Sequence, residues 1–346
     1  MKLAIKIISR ETIRPSSATP LHLKTFKLSL IDQLFPAIQI PLLLFYNAPS
    51  NTPPLQITTL KSSLSDTLSQ FYPLASRCID EDTVSCNDEG IPFIETHVNS
   101  RLTELLASSH KLDFLIQLLP PRDILCPGAR VISGMVPLAF QINVFACGGV
   151  VIGCFLLHKL LDTSSFGTFF QYWAAMTAQR YHDVVEPAFD PISKAFPSCP
   201  KINQVKAVEP RKEPLAQSRP VVVLVKSFRF TKTAINDLKV KAASEVHPNP
   251  TTFETVTGFV WESILAAGCN ARETTGLSIS INMRPQTTPP IPRNLMGNCV
   301  TDVLGNATGQ ETFPELVGDI HSVKNRMKVI FALMNYMNTI DGYIYN

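Results

Sequence analysis

The sequence contains no Cys-x-x-Cys pair, although eight cysteines are spread along its 346 residues. That spacing excludes zinc-ribbon and dithiol motifs. Thiols scattered this widely in a chain of this size are expected to be buried and free. There is no block of Lys and Arg, and the net charge is only +3, so a nucleic-acid surface is not indicated. Long apolar runs are also missing. Val144–Leu157 is the most apolar stretch, too short for a membrane span and split by Gly148-Gly149. Charges interrupt the first ten residues, which therefore lack the apolar centre of a signal peptide. A cytoplasmic protein without membrane partners is expected. Gly148-Gly149 has no phosphate-loop lysine, and no Gly-x-Ser-x-Gly elbow occurs, which disfavours a P-loop enzyme and a serine hydrolase. Charged residues make up only 17% and apolar residues 45%. That balance requires a large buried core, and the length suits two domains.

Local patterns fill in the organisation. Residues 2–8 alternate as an opening strand would. Leu60, Leu64 and Leu68 fall four apart and predict a helix that ends at Pro73. Cys78 to Val98 reads as a hairpin turned by Asn87-Asp88-Glu89-Gly90. Leu138–Ala146 and Val150–Leu157 read as a second hairpin turned by Cys147-Gly148-Gly149. Gln141 and Asn143, two apart on its first strand, share a face and are possible cleft-lining residues. Phe166–Arg180 is predicted as a helix with an aromatic side facing the core.

Seven prolines between Val184 and Pro220 argue against regular structure there. The expected division is a first domain over 1–183, a Pro-rich crossover over 184–220 and a second domain over 221–346. In the second half, 221–230 and 277–283 read as strands. Residues 231–243, 250–267 and 314–334 read as helices. Strands and helices mix in both halves without regular βαβ alternation, so the fold class is a mixed α/β (α+β) one.

The polar residues with chemical potential centre on His158. Its spacing to Asp162 is weak evidence alone, since roughly 0.3 such matches arise by chance in this composition. The setting is more informative, because His158 follows a buried strand and precedes a helix. Such corners hold a polar side chain firmly at a cleft edge. An imidazole can take a proton from a hydroxyl and return it within one cycle. On spacing and setting alone, a hydrogen-bonded core histidine explains the position equally well. Asp162 could orient the imidazole or pair with a cation such as Arg284 in a fork. His182-x-x-x-Glu186 has metal-ligand spacing, but Pro187 follows at once and no third ligand is evident, so no metal is expected.

Together these residues resemble the BAHD family of plant acyl-CoA-dependent acyltransferases. Gln141 through Gly149, Gly153 and His158 to Asp162 resemble its active-site hairpin and HxxxD motif. Phe71-Tyr72-Pro73-Leu74-Ala75-Ser76-Arg77 resembles its FYPLAGR segment, with Ser76 in place of glycine. Pro250-Thr251-Thr252 through Trp261, Asn282-Met283-Arg284 and Gly297-Asn298 are similar to later landmarks. Pro20–Lys24 and Leu28–Leu34 look most like the vinorine synthase-like branch, whose acceptors include alkaloids.

The resemblance implies two chloramphenicol-acetyltransferase-like domains joined by a long crossover, each a mixed sheet flanked by helices. It implies His158 as general base, with Asp162 and Arg284 in a structural role beside it and Asn298 near the cleft. Acyl-CoA, acetyl-CoA by branch, is the implied co-substrate, with a small-molecule alcohol or amine as acceptor. No permanently bound cofactor is implied, and a monomer is. The family's C-terminal Asp-Phe-Gly-Trp-Gly motif has no match here. The expectation is therefore a chain whose second domain is incomplete. A catalytically inactive, truncated paralogue that binds a ligand or partner is the alternative.

Overall fold

The computed structural model describes residues 4–48, 56–107, 111–125, 132–199, 226, 228–268, 274–287 and 290–326. It divides into two compact units. The first contains residues 1–219 together with 292–298, and the second contains 220–291 and 299–346.

The first unit is built on a five-stranded sheet. Its strands are β1 (Ile5–Ile13), β3 (Gln39–Tyr46), β6 (Ile91–Val98), β7 (Leu138–Phe145) and β8 (Val150–Leu157). They lie in the order β1-β6-β7-β8-β3. β6 and β7 run parallel and every other pair is antiparallel, so the sheet is mixed. β2 (Thr25–Lys27), β4 (Arg77–Cys78) and β5 (Thr83–Ser85) form a separate small sheet. The helices are α1 (Leu30–Leu34), α2 (Ile57–Gln70), α3 (Leu102–Ala107), α4 (Lys111–Gln117), α5 (Thr163–Thr177) and α6 (Asp190–Ala195).

Every residue of β8 is buried, because both faces of the central sheet are covered. On one face α2 and α5 supply Leu60, Leu64, Leu68, Phe169 and Trp173 against Phe140, Ile142, Ile152 and Cys154. The aromatic rings meet edge-on or tilted, Phe71–Phe169 at 5.2 Å and Phe140–Trp173 at 4.9 Å. That geometry suits their quadrupoles. On the other face α3 and α4 bring Leu102, Leu105 and Phe114 onto Val98, Phe145 and Val151. Burying each such side chain contributes about 1.5–3 kcal/mol.

The β7–β8 hairpin is as expected, and Gly148 at φ 79° makes its turn. Residues 78–98 do not form one hairpin. β4 pairs with β5, whereas β6 leaves to pair with β1 and β7. Asp88 at φ 59° and Gly90 at φ 81° redirect the chain. Asp88 is then locked by Thr19 N–H at 3.1 Å and by the Lys24 ammonium.

The second unit pairs β9 (Thr275–Asn282) antiparallel with β10 (Val300–Ala307). α7 (Lys232–Ala242), α8 (Thr252–Gly268) and α9, helical over 313–326, complete it. Trp261, Leu265, Ile279, Val303, Leu316, Ile320 and Val323 form its core. Thr231 caps α7 by accepting from Ala234 N–H at 3.1 Å. Residues 226 and 228–230 are not strand. The rest of the strand expected over 221–230 lies outside the described residues, as does the helix expected beyond 326. Residues 184–199 of the expected crossover belong to the first unit and include α6. The segment 292–298, expected in the second domain, belongs to the first unit. Leu295 there forms a parallel bridge with Ala188, and Ser165 Oγ lies 2.8 Å from Gly297 O.

Candidate active site

His158 is the first residue after β8. Its backbone N–H donates to Ile38 O at 2.9 Å, and its carbonyl accepts from Asn298 Nδ2 at 2.8 Å. The residue is partly exposed. Its ring stacks on Phe35 with centroids 4.7 Å apart and planes 21° apart. Nδ1 is buried with no hydrogen-bond partner among the described residues. Nε2 is therefore the nitrogen available for proton transfer.

The four residues after the histidine are all buried. Lys159 is fully buried, with Nζ 2.8 Å from a Glu81 carboxylate oxygen and within 3.4 Å of the Gln33 and Phe35 carbonyls. Asp162 is the N-cap of α5 and accepts from Ser165 N–H at 2.9 Å. Its position at a helix start explains why a short carboxylate stands there.

Asn298 is fully buried on the segment that returns from the second half of the chain. Its Nδ2 donates to His158 O and also to Asp32 Oδ1 at 2.9 Å, and its backbone N–H donates to the same oxygen at 2.6 Å. Asp32 Oδ2 accepts from Ser29 N–H and Oγ in a capping box at the start of α1. Burial pushes the Asp32 carboxyl up to about 6, although the hydrogen bonds from Asn298 and Ser29 pull the other way.

Gln141 and Asn143 do share a face, but that face is covered. Gln141 Nε2 donates to Gln117 O at 3.0 Å and to Asn143 Oδ1 at 2.8 Å. Asn143 Nδ2 lies within 3.2 Å of the Leu118, Gln141 and Val151 carbonyls. The correction to cleft-lining is that both amides bind the backbone that crosses the sheet. Gly153, opposite Gln141, permits this crossing, since a Cβ there would lie 2.0 Å from Leu118 O.

Arg284 lies in the second unit at the turn after β9 and is buried. Its backbone N–H and Nη1 both point to Asn282 Oδ1, at 3.1 and 3.3 Å. The free cysteines Cys78, Cys86, Cys154 and Cys299 are buried, while Cys147 and Cys199 are partly exposed. Cys126 and Cys269 lie outside the described residues.

A cavity of about 830 Å³ opens within the first unit, between β3 and β8 on one side and α2 and α5 on the other. Leu42, Leu44, Val150, Ile152, Phe166 and Phe170 make it apolar, and Tyr46, Asn47, Gln171 and Thr177 add polar groups. Thr163, which begins α5 five residues after His158, also lines it. Its volume suits a bulky small molecule.

Sequence reasoning missed a second polar centre. His247 Nε2, His321 Nδ1 and a Glu254 carboxylate oxygen lie within 4.8 Å of one another in the second unit. The two rings stack at 3.9 Å. Lys324 Nζ already sits 2.9 Å from Glu254 Oε1, which makes the cluster a salt-bridged clamp. No helix among the described residues is long and apolar enough to cross a membrane.

With that geometry in place, comparison with known proteins defines the class. The Transferase family model matches residues 3–343, and the chain belongs to that family, the BAHD acyl-CoA-dependent acyltransferases. It is an acyl-CoA-dependent O-acyltransferase. Vinorine synthase of Rauvolfia serpentina is 34% identical over 325 residues, which are 91% of this chain and 74% of that one. Stemmadenine O-acetyltransferase of Catharanthus roseus is 36% identical over 327 residues, again 91% and 74%. The crystal structure of vinorine synthase matches with a TM-score of 0.76 at 29% identity, over 96% of this chain and 80% of that one. The two-domain fold implied by the sequence resemblance is thus shown.

Proposed function

We propose that this enzyme transfers an acetyl group from acetyl-CoA to a hydroxyl of a bulky, largely apolar plant metabolite of the alkaloid or terpenoid type. His158 is the general base. Its Nε2 removes the hydroxyl proton as the oxygen attacks the thioester carbonyl. A C–O bond forms, the tetrahedral intermediate collapses, the C–S bond breaks, and the proton passes to the departing CoA sulfur. Asp162 holds the corner in shape rather than taking protons, a role supported by its N-cap position, and Arg284 is structural within its own unit. The name of one plant relative, stemmadenine O-acetyltransferase, supports an acetyl donor.

The observation that carries this reading is the pinned, half-open imidazole. Both backbone polar groups of His158 are hydrogen-bonded, one ring face is stacked, and Nδ1 is buried. Such a ring is prepared to present one nitrogen. The test is thiol release from acetyl-CoA across a panel of apolar alkaloid and terpenoid alcohols. Wild type should release CoA only when an acceptor is present. His158→Ala should lower the rate roughly a hundred- to ten-thousand-fold. Full activity in that variant would refute the base assignment. Calorimetric binding of an alcohol with no CoA release would instead favour a binding protein.

A further inference from the structure

We propose that Asp32 is a positioning residue for His158, acting through the side chain of Asn298. The inference rests on the reading of His158 as the base. It adds a carboxylate that touches neither substrate nor reacting atoms.

Three contacts carry it. Asn298 Nδ2 divides its two N–H groups between Asp32 Oδ1 at 2.9 Å and His158 O at 2.8 Å. Asp32 and Asn298 are 266 residues apart in sequence, and both are buried. By holding one N–H, the carboxylate orients the amide so that the other faces the histidine carbonyl. The second contact is Phe35, three residues after Asp32 on the same segment, which stacks on the imidazole at 4.7 Å. The third is Lys159, the residue after the histidine, whose Nζ reaches Gln33 O and Phe35 O. One segment, 29–35, thus grips the corner by its carbonyl, its ring face and its neighbouring ammonium.

A helix cap alone does not account for this. α1 has five residues, and Ser29 already caps it. Capping does not require a buried carboxylate that also accepts two N–H groups from a distant segment. Gly297, at φ 119°, brings that segment close. A Cβ there would sit 3.4 Å from both Asp32 oxygens. Misplacing a catalytic group by about 1 Å can cost on the order of a hundredfold in rate, so holding the histidine carbonyl has kinetic weight.

The test is steady-state kinetics with acetyl-CoA and an accepted alcohol. Asp32→Asn and Asn298→Ala should each lower kcat about ten- to a hundredfold and leave both KM values within twofold. The double variant should be no slower than the slower single one, since the two residues act as a unit. Ile91→Ala, a core truncation remote from the tether, is the stability control. It should lower the melting temperature and keep kcat. If Asp32→Asn does not fold, Asn298→Ala carries the test. The proposal is overturned if Asn298→Ala keeps wild-type kcat, or if Ile91→Ala loses as much kcat as the tether variants. His158→Ala runs beside them. If it is inactive while the tether variants run at full rate, only the positioning role fails. If it is fully active, the base reading itself fails.

Discussion

Two buried carboxylates, one in each unit, solve the same physical problem in opposite ways. Asp32 is surrounded by neutral donors, two from Ser29 and two from Asn298. Burial dominates, and the carboxyl is pushed up to about 6. Glu254 is also buried, which alone would raise it. Thr251 N–H, Lys324, Thr251 Oγ and His321 outweigh that and hold it well below the usual carboxylate range. Five hydrogen bonds converge on it. Glu254 stabilises its unit by pairing charge. Asp32 leaves a charge poorly compensated beside the candidate base, and strain of that kind gathers at functional sites.

That contrast is sharpened first by removing Glu254. Glu254→Gln deletes the charge that Lys324 and His321 face, and should cost about 3 kcal/mol of stability. Urea unfolding would measure it, with kcat of the folded fraction unchanged. A loss of less than about 1 kcal/mol would contradict the clamp.

The second test is pH, and the two carboxylates differ in sign. The folded value of Glu254 lies below its ordinary 4.5, so its contribution is present at neutral pH and is lost as pH falls below that range. The folded value of Asp32 lies above its ordinary 3.8. Its ionised form costs stability above about pH 6, and the cost is relieved as pH falls. Between pH 7 and pH 5, wild type should gain about 1 kcal/mol relative to Asp32→Asn. A difference between the two proteins that does not change with pH would remove the contrast.

Smaller effects follow. Ser29→Ala removes one donor to Asp32 and the α1 cap, and should cost about 1 kcal/mol in a thermal melt. Lys324→Met should cost less than about 1 kcal/mol, because its side chain is 31% exposed and solvent screens the pair.

Much of the site was legible from local pattern. The buried β7–β8 strands announce themselves as apolar runs, and His158 stands where the second one stops. The helix expected over Phe166–Arg180 begins three residues earlier, at Thr163, because Asp162 caps it there. What stayed hidden depends on contacts far apart in sequence. Nothing near Asn298 signals that residues 292–298 return to the first unit, or that its amide meets Asp32. Nothing local to Lys159 signals that its ammonium is fully buried. Gln141 and Asn143 share a face, as their spacing requires, yet what covers that face is the backbone of 117–118, and periodicity carries no information about a neighbour's carbonyls.

The most direct test of the account is the pH dependence of ester formation by wild type and His158→Ala, followed by mass spectrometry of the product. An imidazole base stops working once protonated. Wild-type rate should therefore fall on the acid side, while the variant is slow and flat across the same range. A variant that matches wild type in both rate and acid limb would contradict His158 as the base.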